Sequence, residues 1–156
     1  MTSTLATLTD CIATELAAFD RRFQQELQSD LTCVNALVPH VRRLLAKILP
    51  PSPLPLSGRA AGELTDAHIT LATVVEMVHM ATLVHDDVLD EAELRRKGAT
   101  INHLHGNEAA VLLGDYLISH SYHLCSSLDD QQAARLIAAT TNQICEGELL
   151  QINNRN

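Results

Sequence analysis

In the segment His85-Asp86-Asp87-Val88-Leu89-Asp90-Glu91, Asp86 and Asp90 stand four residues apart. On a helix both carboxylates project from one face, displaced about 6 Å along the axis. Oxygens so placed can bridge divalent ions. Magnesium takes one or two carboxylates together with substrate phosphate oxygens and retained waters, so one exposed carboxylate face serves it without a closed protein cage. Like charges at this spacing repel, which disfavours the helix unless a cation compensates. Arg95, Arg96 and Lys97 follow within two turns. Guanidinium forks suit phosphate oxygens, so metal-bridging acids beside phosphate-binding arginines make a coherent diphosphate site. For an arbitrary charged run the commoner outcome is a solvated helix end whose acids and bases pair among themselves.

The elements that must position these groups read as helices. Leu5, Leu8, Ile12, Leu16, Phe19, Phe23 and Leu27 recur at spacings of three and four, one buried stripe on a helix over about 4–28. A second pattern runs from about Leu31 to Leu49 and stops at Pro50. Pro50, Pro51, Pro53 and Pro55 then predict a non-helical connector over 50–58, because proline lacks the amide donor and clashes with the preceding turn. Thr65 or Asp66 can cap the next helix, which carries the Asp-rich segment and is expected to end near Gly98. Gly106-Asn107 opens a helix to about Leu128, and Asp129 or Asp130 caps a last one to about Ile152. No strand-like alternation competes. The fold class is all-α, an antiparallel helical bundle forming one domain over 1–156.

Composition bounds the partners. The chain has 156 residues, enough for a core without disulfides or a structural metal. A formal charge of −8 with 3% aromatic residues argues against nucleic acid, which asks for a basic surface and stacking rings. Cys11, Cys33, Cys125 and Cys145 form no CxxC pair, as expected of reduced thiols in a cytoplasmic protein. No basic leader opens the chain, and no apolar run reaches the roughly 18 residues of a membrane span.

Taken together, Glu76 to Arg96 resembles, almost position for position, the first Asp-rich region of the trans-prenyl diphosphate synthases, commonly written LxHDDxxDxxxxRRG. The likeness extends through HGNEAAVLLGDYL at 105–117 and Cys145-Glu146-Gly147-Glu148. A lone DDxxD is weak, whereas this extended run is highly specific. The resemblance implies the isoprenoid synthase fold and condensation of isopentenyl diphosphate with an allylic diphosphate. It also implies roles: Asp86 and Asp90 bind magnesium on the allylic diphosphate, with Asp87 supporting. Arg95 contacts that diphosphate, and Arg96 and His79 contact the diphosphate of isopentenyl diphosphate. On residue type alone, His79 would be a satisfied histidine on a partly buried helix, and His85 is left structural. The released pyrophosphate would accept the final proton, so no dedicated base is required. Ala81, five residues before the first Asp where short-product members often carry an aromatic, resembles the long-chain, octaprenyl-type enzymes. Close packing of Ala81 against another helix is the plain alternative.

The resemblance has gaps. Ala46-Lys47-Ile48-Leu49-Pro50-Pro51 aligns with the family's GGKxLRP, keeping Lys47 as a substrate-binding residue but placing Pro50 at the arginine. The family has about twice as many residues, and its second Asp-rich motif has no counterpart, since Asp129-Asp130 lacks the following acid. The chain therefore resembles the N-terminal half only. Two readings follow: a polyprenyl synthase needing a further carboxylate cluster, or a noncatalytic subunit associating with a full-length synthase. Either is expected to form a homo-oligomer or to pair with a second prenyl synthase chain. A metal phosphohydrolase built on His85-Asp86 would need a further upstream histidine and a distant aspartate, for which His79 sits poorly.

Overall fold

The computed structural model describes residues 11–44, 53–95 and 98–155. Its helices are α1 (Ala13–Glu26), α2 (Thr32–Leu44), α3 (Pro53–Ala61), α4 (Asp66–Leu89), α5 (Ile101–His105), α6 (Asn107–Ser126) and α7 (Gln131–Arg155). A two-residue antiparallel pair, β1 (Leu94–Arg95) with β2 (Gly98–Ala99), lies between α4 and α5. α4 is the central element and packs along α6, with α1 and α3 also against it. The core joins Phe19, Phe23 and Leu27 of the first segment to Val41 and Leu44 of α2, Met77, Met80 and Val84 of α4, and Leu113 and Leu117 of α6. Phe19, Phe23 and Leu27 belong to the stripe predicted for the first helix, whose Leu5 and Leu8 lie outside the described residues.

By length and composition α4 could cross a membrane, contrary to the expectation from apolar run length. Of its most apolar window 56% is buried inside the bundle, as in a core helix.

Two expectations are corrected. Prolines do not keep 53–58 out of a helix: Pro53 and Pro55 occupy the first turn of α3, whose amides have no intrahelical acceptor, so neither removes a ladder bond there. The remaining prolines of that cluster, Pro50 and Pro51, lie outside the described residues. Nor does α4 reach Gly98. It ends at Leu89 in a Schellman closure, with the Glu91 amide donating to Val88 O at 3.2 Å and the Ala92 amide to Asp87 O at 2.9 Å. Glu91 sits at φ 50°, a left-handed position that favours glycine. Glu91→Gly should therefore raise stability by about 0.5–1 kcal/mol in urea denaturation. At the other end, the Thr65 amide donates to His68 Nδ1 at 3.1 Å, a capping box with histidine in the usual glutamate position.

The chain after α4 folds back and is tied down locally. Thr100 Oγ1 donates to Ala92 O at 2.6 Å, and Asn102 Nδ2 donates to both Asp87 O and Ala92 O at 3.1 Å. These bonds fix the hairpin carrying Arg95 against the C-terminal turn of α4. At the start of α7, Asp130 Oδ1 accepts from the Gln132 amide at 2.8 Å, as its cap role predicts.

Candidate active-site cleft

The α4 turn that ends at Leu89 sends its three aspartates to two different places. Asp87 is buried at 2% exposure and accepts from Arg95 Nε at 2.5 Å. Asp86, half-buried, and Asp90, exposed, face α7 instead. There a cleft of about 470 Å³ is lined by Asp86, Leu89, Asp90, Glu148, Gln151, Ile152 and Arg155. Asp90 Oδ1 stands 3.6 Å from Arg155 Nη2, with both side chains more than half exposed.

Burial raises the Asp86 carboxyl above the usual carboxylate range; the charge of Glu148 adds to the rise against an opposing effect of Arg95, and Asp90 and Asp87 add further. Three carboxylates thus converge with more negative charge than Arg155 offsets, an arrangement that a hard dication would relieve. Among the described residues, no group of three or more His, Cys, Asp and Glu side chains could by itself hold a metal ion. Magnesium shared between carboxylates and phosphate oxygens has no need of such a cage, so this donor set fits it.

Glu148 belongs to the Cys145–Glu148 run that carries the resemblance, without an assigned role, whereas Gln151 and Arg155 were not singled out by the sequence. Their signal was there: Glu148, Gln151, Ile152 and Arg155 fall at helical spacings of three and four.

Elsewhere on the α4–α7 seam lies a separate apolar groove of about 280 Å³, lined on α4 by Val75, Val78, His79 and Thr82 and on α7 by Leu136, Ile137, Thr140, Thr141 and Ile144. His79 therefore shares the face of Asp86, two turns away, at the apolar end. Ala81 is fully buried in the core, and Thr82 beside it faces the groove. Of the two readings of Ala81, close packing is the one observed. Lys47 and Arg96 lie outside the described residues.

His85 is held across the α4–α6 contact, with Nε2 3.2 Å from Val111 O and 3.5 Å from Asp115 Oδ1. Gly114 permits this approach, since a Cβ there would overlap the imidazole ring. In Gly114→Ala the ring must swing out and lose its carbonyl partner, an expected cost of about 1–2 kcal/mol. Chemical denaturation should show His85→Ala recovering most of that loss in the Gly114→Ala background.

Residues 37–156 match the family described as Polyprenyl synthetase. The chain is 34% identical over 152 residues to the octaprenyl diphosphate synthase of Escherichia coli, covering 97% of this chain and 47% of that enzyme. It is 31% identical over 141 residues to heptaprenyl diphosphate synthase component 2 of Bacillus subtilis, covering 90% and 40%. The structure superposes on a polyprenyl synthase from Caulobacter crescentus, complexed with calcium and isoprenyl diphosphate, with a TM-score of 0.90 at 32% identity, covering 96% of this chain and 45% of that one. The chain thus spans about half the length of the curated relatives it matches.

Proposed function

Because this chain belongs to the polyprenyl synthetase family, we propose that it provides the first carboxylate half-site of a polyprenyl diphosphate synthase, which condenses isopentenyl diphosphate with an allylic diphosphate. The observation that carries this reading is the cleft where Asp86, Asp90 and Glu148 converge, with a separate apolar groove on the same α4–α7 seam. Such a site takes a charged head at one end and a hydrocarbon chain at the other.

In this reading Asp86 and Asp90 share magnesium with the allylic diphosphate, and Arg95, oriented by Asp87, donates to the same group. The chemistry magnesium supplies when bound is neutralisation of negative charge on the leaving pyrophosphate. The groove walls shield the allylic carbon from water and receive the growing chain. Arg96, Lys47 and His79 bind isopentenyl diphosphate. Cytoplasmic location fits the core position of α4 and the free thiols of Cys33, Cys125 and Cys145.

Catalysis requires further carboxylates facing the first cluster, supplied by another part of the enzyme or a partner chain. Exposed apolar side chains on α6 and α7, among them Leu112, Leu136, Leu149 and Leu150, support association with another chain, which both this reading and the second, a noncatalytic subunit of a full-length synthase, expect. Incubation with magnesium, farnesyl diphosphate and labelled isopentenyl diphosphate, alone and with candidate full-length synthases, tests both. The half-site reading expects no product from the chain alone and magnesium-dependent farnesyl diphosphate binding that Asp86→Ala abolishes. Turnover by the isolated chain would overturn it.

A further inference from the structure

Among the described residues that line the carboxylate cleft, Asp86, Asp90 and Glu148 are acids and Arg155 alone is basic. Its place there follows from how two helices run. Val78 and Thr82 of α4 share the apolar groove with Ile137 and Ile144 of α7, and Asp86 and Asp90 share the cleft with Glu148 and Arg155. The numbers rise together on both helices, so α4 and α7 are parallel and Arg155 comes level with Asp90, where α4 stops.

Asp90 is the C-cap of α4. The carbonyl end of a helix carries partial negative charge, so a carboxylate at that position calls for a cation. Arg155 supplies one, with 3.6 Å from Nη2 to Asp90 Oδ1. The contact is loose. It lies beyond hydrogen-bonding distance, and the two side chains are 56% and 53% exposed. Exposed pairs of this kind shift an equilibrium by about two- to fivefold. Arg95 is a different case: its Nε is committed to buried Asp87 at 2.5 Å, and its side chain is 28% exposed. Of the two arginines beside the aspartates, one is locked to a buried acid and the other is able to change partners.

Charge decides which partner Arg155 takes. A bare dication is drawn to the three acids but repelled by the guanidinium, and a bare diphosphate is drawn to the guanidinium but repelled by the acids. Only the two together satisfy every group in the cleft. We propose that Arg155 is an exchangeable counter-ion, which pairs with Asp90 while no ligand is bound and passes to a diphosphate oxygen when magnesium engages Asp90. Arg155 thereby penalises metal or diphosphate binding singly and rewards their binding together. The assignment of that ligand pair rests on the function proposed above.

The test uses the full chain and two calorimetric titrations, magnesium alone, and inorganic pyrophosphate at saturating magnesium. Arg155→Gln should raise affinity for magnesium alone about two- to fivefold and lower affinity for pyrophosphate about 10-fold or more. Arg155→Lys keeps the charge but not the fork, so its magnesium affinity should match the parent chain and its pyrophosphate affinity should fall between. If Arg155→Gln loses helicity by circular dichroism, the Arg155→Lys pattern carries the expectation instead. A merely structural role for Arg155 would move both affinities of Arg155→Gln in the same direction. That result, or a change in one titration only or in neither, overturns the proposal. Magnesium-dependent farnesyl diphosphate binding lost in Asp86→Ala, with Arg155→Gln indistinguishable from the parent chain, would remove the exchange and leave the proposed function. Opposite shifts in Arg155→Gln, with no farnesyl diphosphate binding by the parent chain, would do the reverse.

Discussion

Asp86→Asn is expected to lower magnesium-dependent diphosphate binding by at least about 100-fold while making the metal-free protein slightly more stable. The binding loss follows from geometry, because Asp86 is the half-buried carboxylate at the centre of the α4–α7 cleft and Asp90 and Glu148 flank it. The stability gain follows from its electrostatics. Burial, with Glu148, Asp90 and Asp87 adding to it, raises the Asp86 carboxyl in the folded protein. A raised folded-state value means that folding is favoured while the group is protonated. That contribution is complete below the unfolded value of about 4 and is lost as pH rises through the folded value. At pH 7 ionised Asp86 therefore burdens the fold, and neutral asparagine removes its repulsion with Asp90, on the order of 0.2–0.5 kcal/mol. Thermal melts in chelator should show the variant about 1–2 °C above the parent chain. Added magnesium and pyrophosphate should reverse the order by stabilising only the parent chain. Magnesium affinity of the parent chain should also fall as pH drops toward the raised Asp86 value. A variant that still bound the diphosphate complex tightly would remove Asp86 from the site.

The largest stability effect is expected at Arg95. Asp87 is buried, and its Oδ1 accepts from Arg95 Nε at 2.5 Å, whereas the arginine itself is 28% exposed. Arg95→Ala leaves a buried carboxylate without that partner. Removing one member of a buried pair costs about 3–5 kcal/mol, and partial exposure of this one lowers the expectation to about 2–3 kcal/mol. Urea denaturation should recover much of the loss in the double variant Asp87→Asn/Arg95→Ala, because the neutral amide no longer needs a cation. Arg95→Lys should fall between the parent chain and Arg95→Ala, since an ammonium supplies charge but not the guanidinium plane. The same bond has a functional consequence. It uses one of the five guanidinium donors and fixes the side chain beside the cleft, so Asp87→Ala should weaken diphosphate binding without Asp87 touching the ligand. An Asp87→Ala variant with unaltered affinity would leave the pair a purely structural one.

These two cases show how differently three neighbouring aspartates read in sequence and in space. Spacing alone placed Asp86 and Asp90 on one helix face, because a helix returns to the same direction every four residues whatever surrounds it. Spacing also separated Asp87 from them, but not the fact that it would be buried under Arg95. That outcome depends on α4 stopping at Leu89, and the stop is encoded by a left-handed glutamate rather than by a glycine or proline that a reader would notice. Pro53 and Pro55 misled in the opposite sense: they break a helix in its interior and are harmless in its first turn, and only the fold reveals which of these they occupy.

The sequence by itself determined the helical class, the stripe by which the first helix enters the core, the cap candidates Thr65 or Asp66 and Asp129 or Asp130, and the carboxylate pair at Asp86 and Asp90. All of these rest on interactions within a few residues of chain or on burial patterns with a fixed period. Only the tertiary structure decided which side chains meet across elements: Glu148 and Arg155 opposite the aspartates, and Thr82 rather than Ala81 on the groove. Those pairings are set by the relative placement of helices far apart in sequence, and no local spacing carries that information.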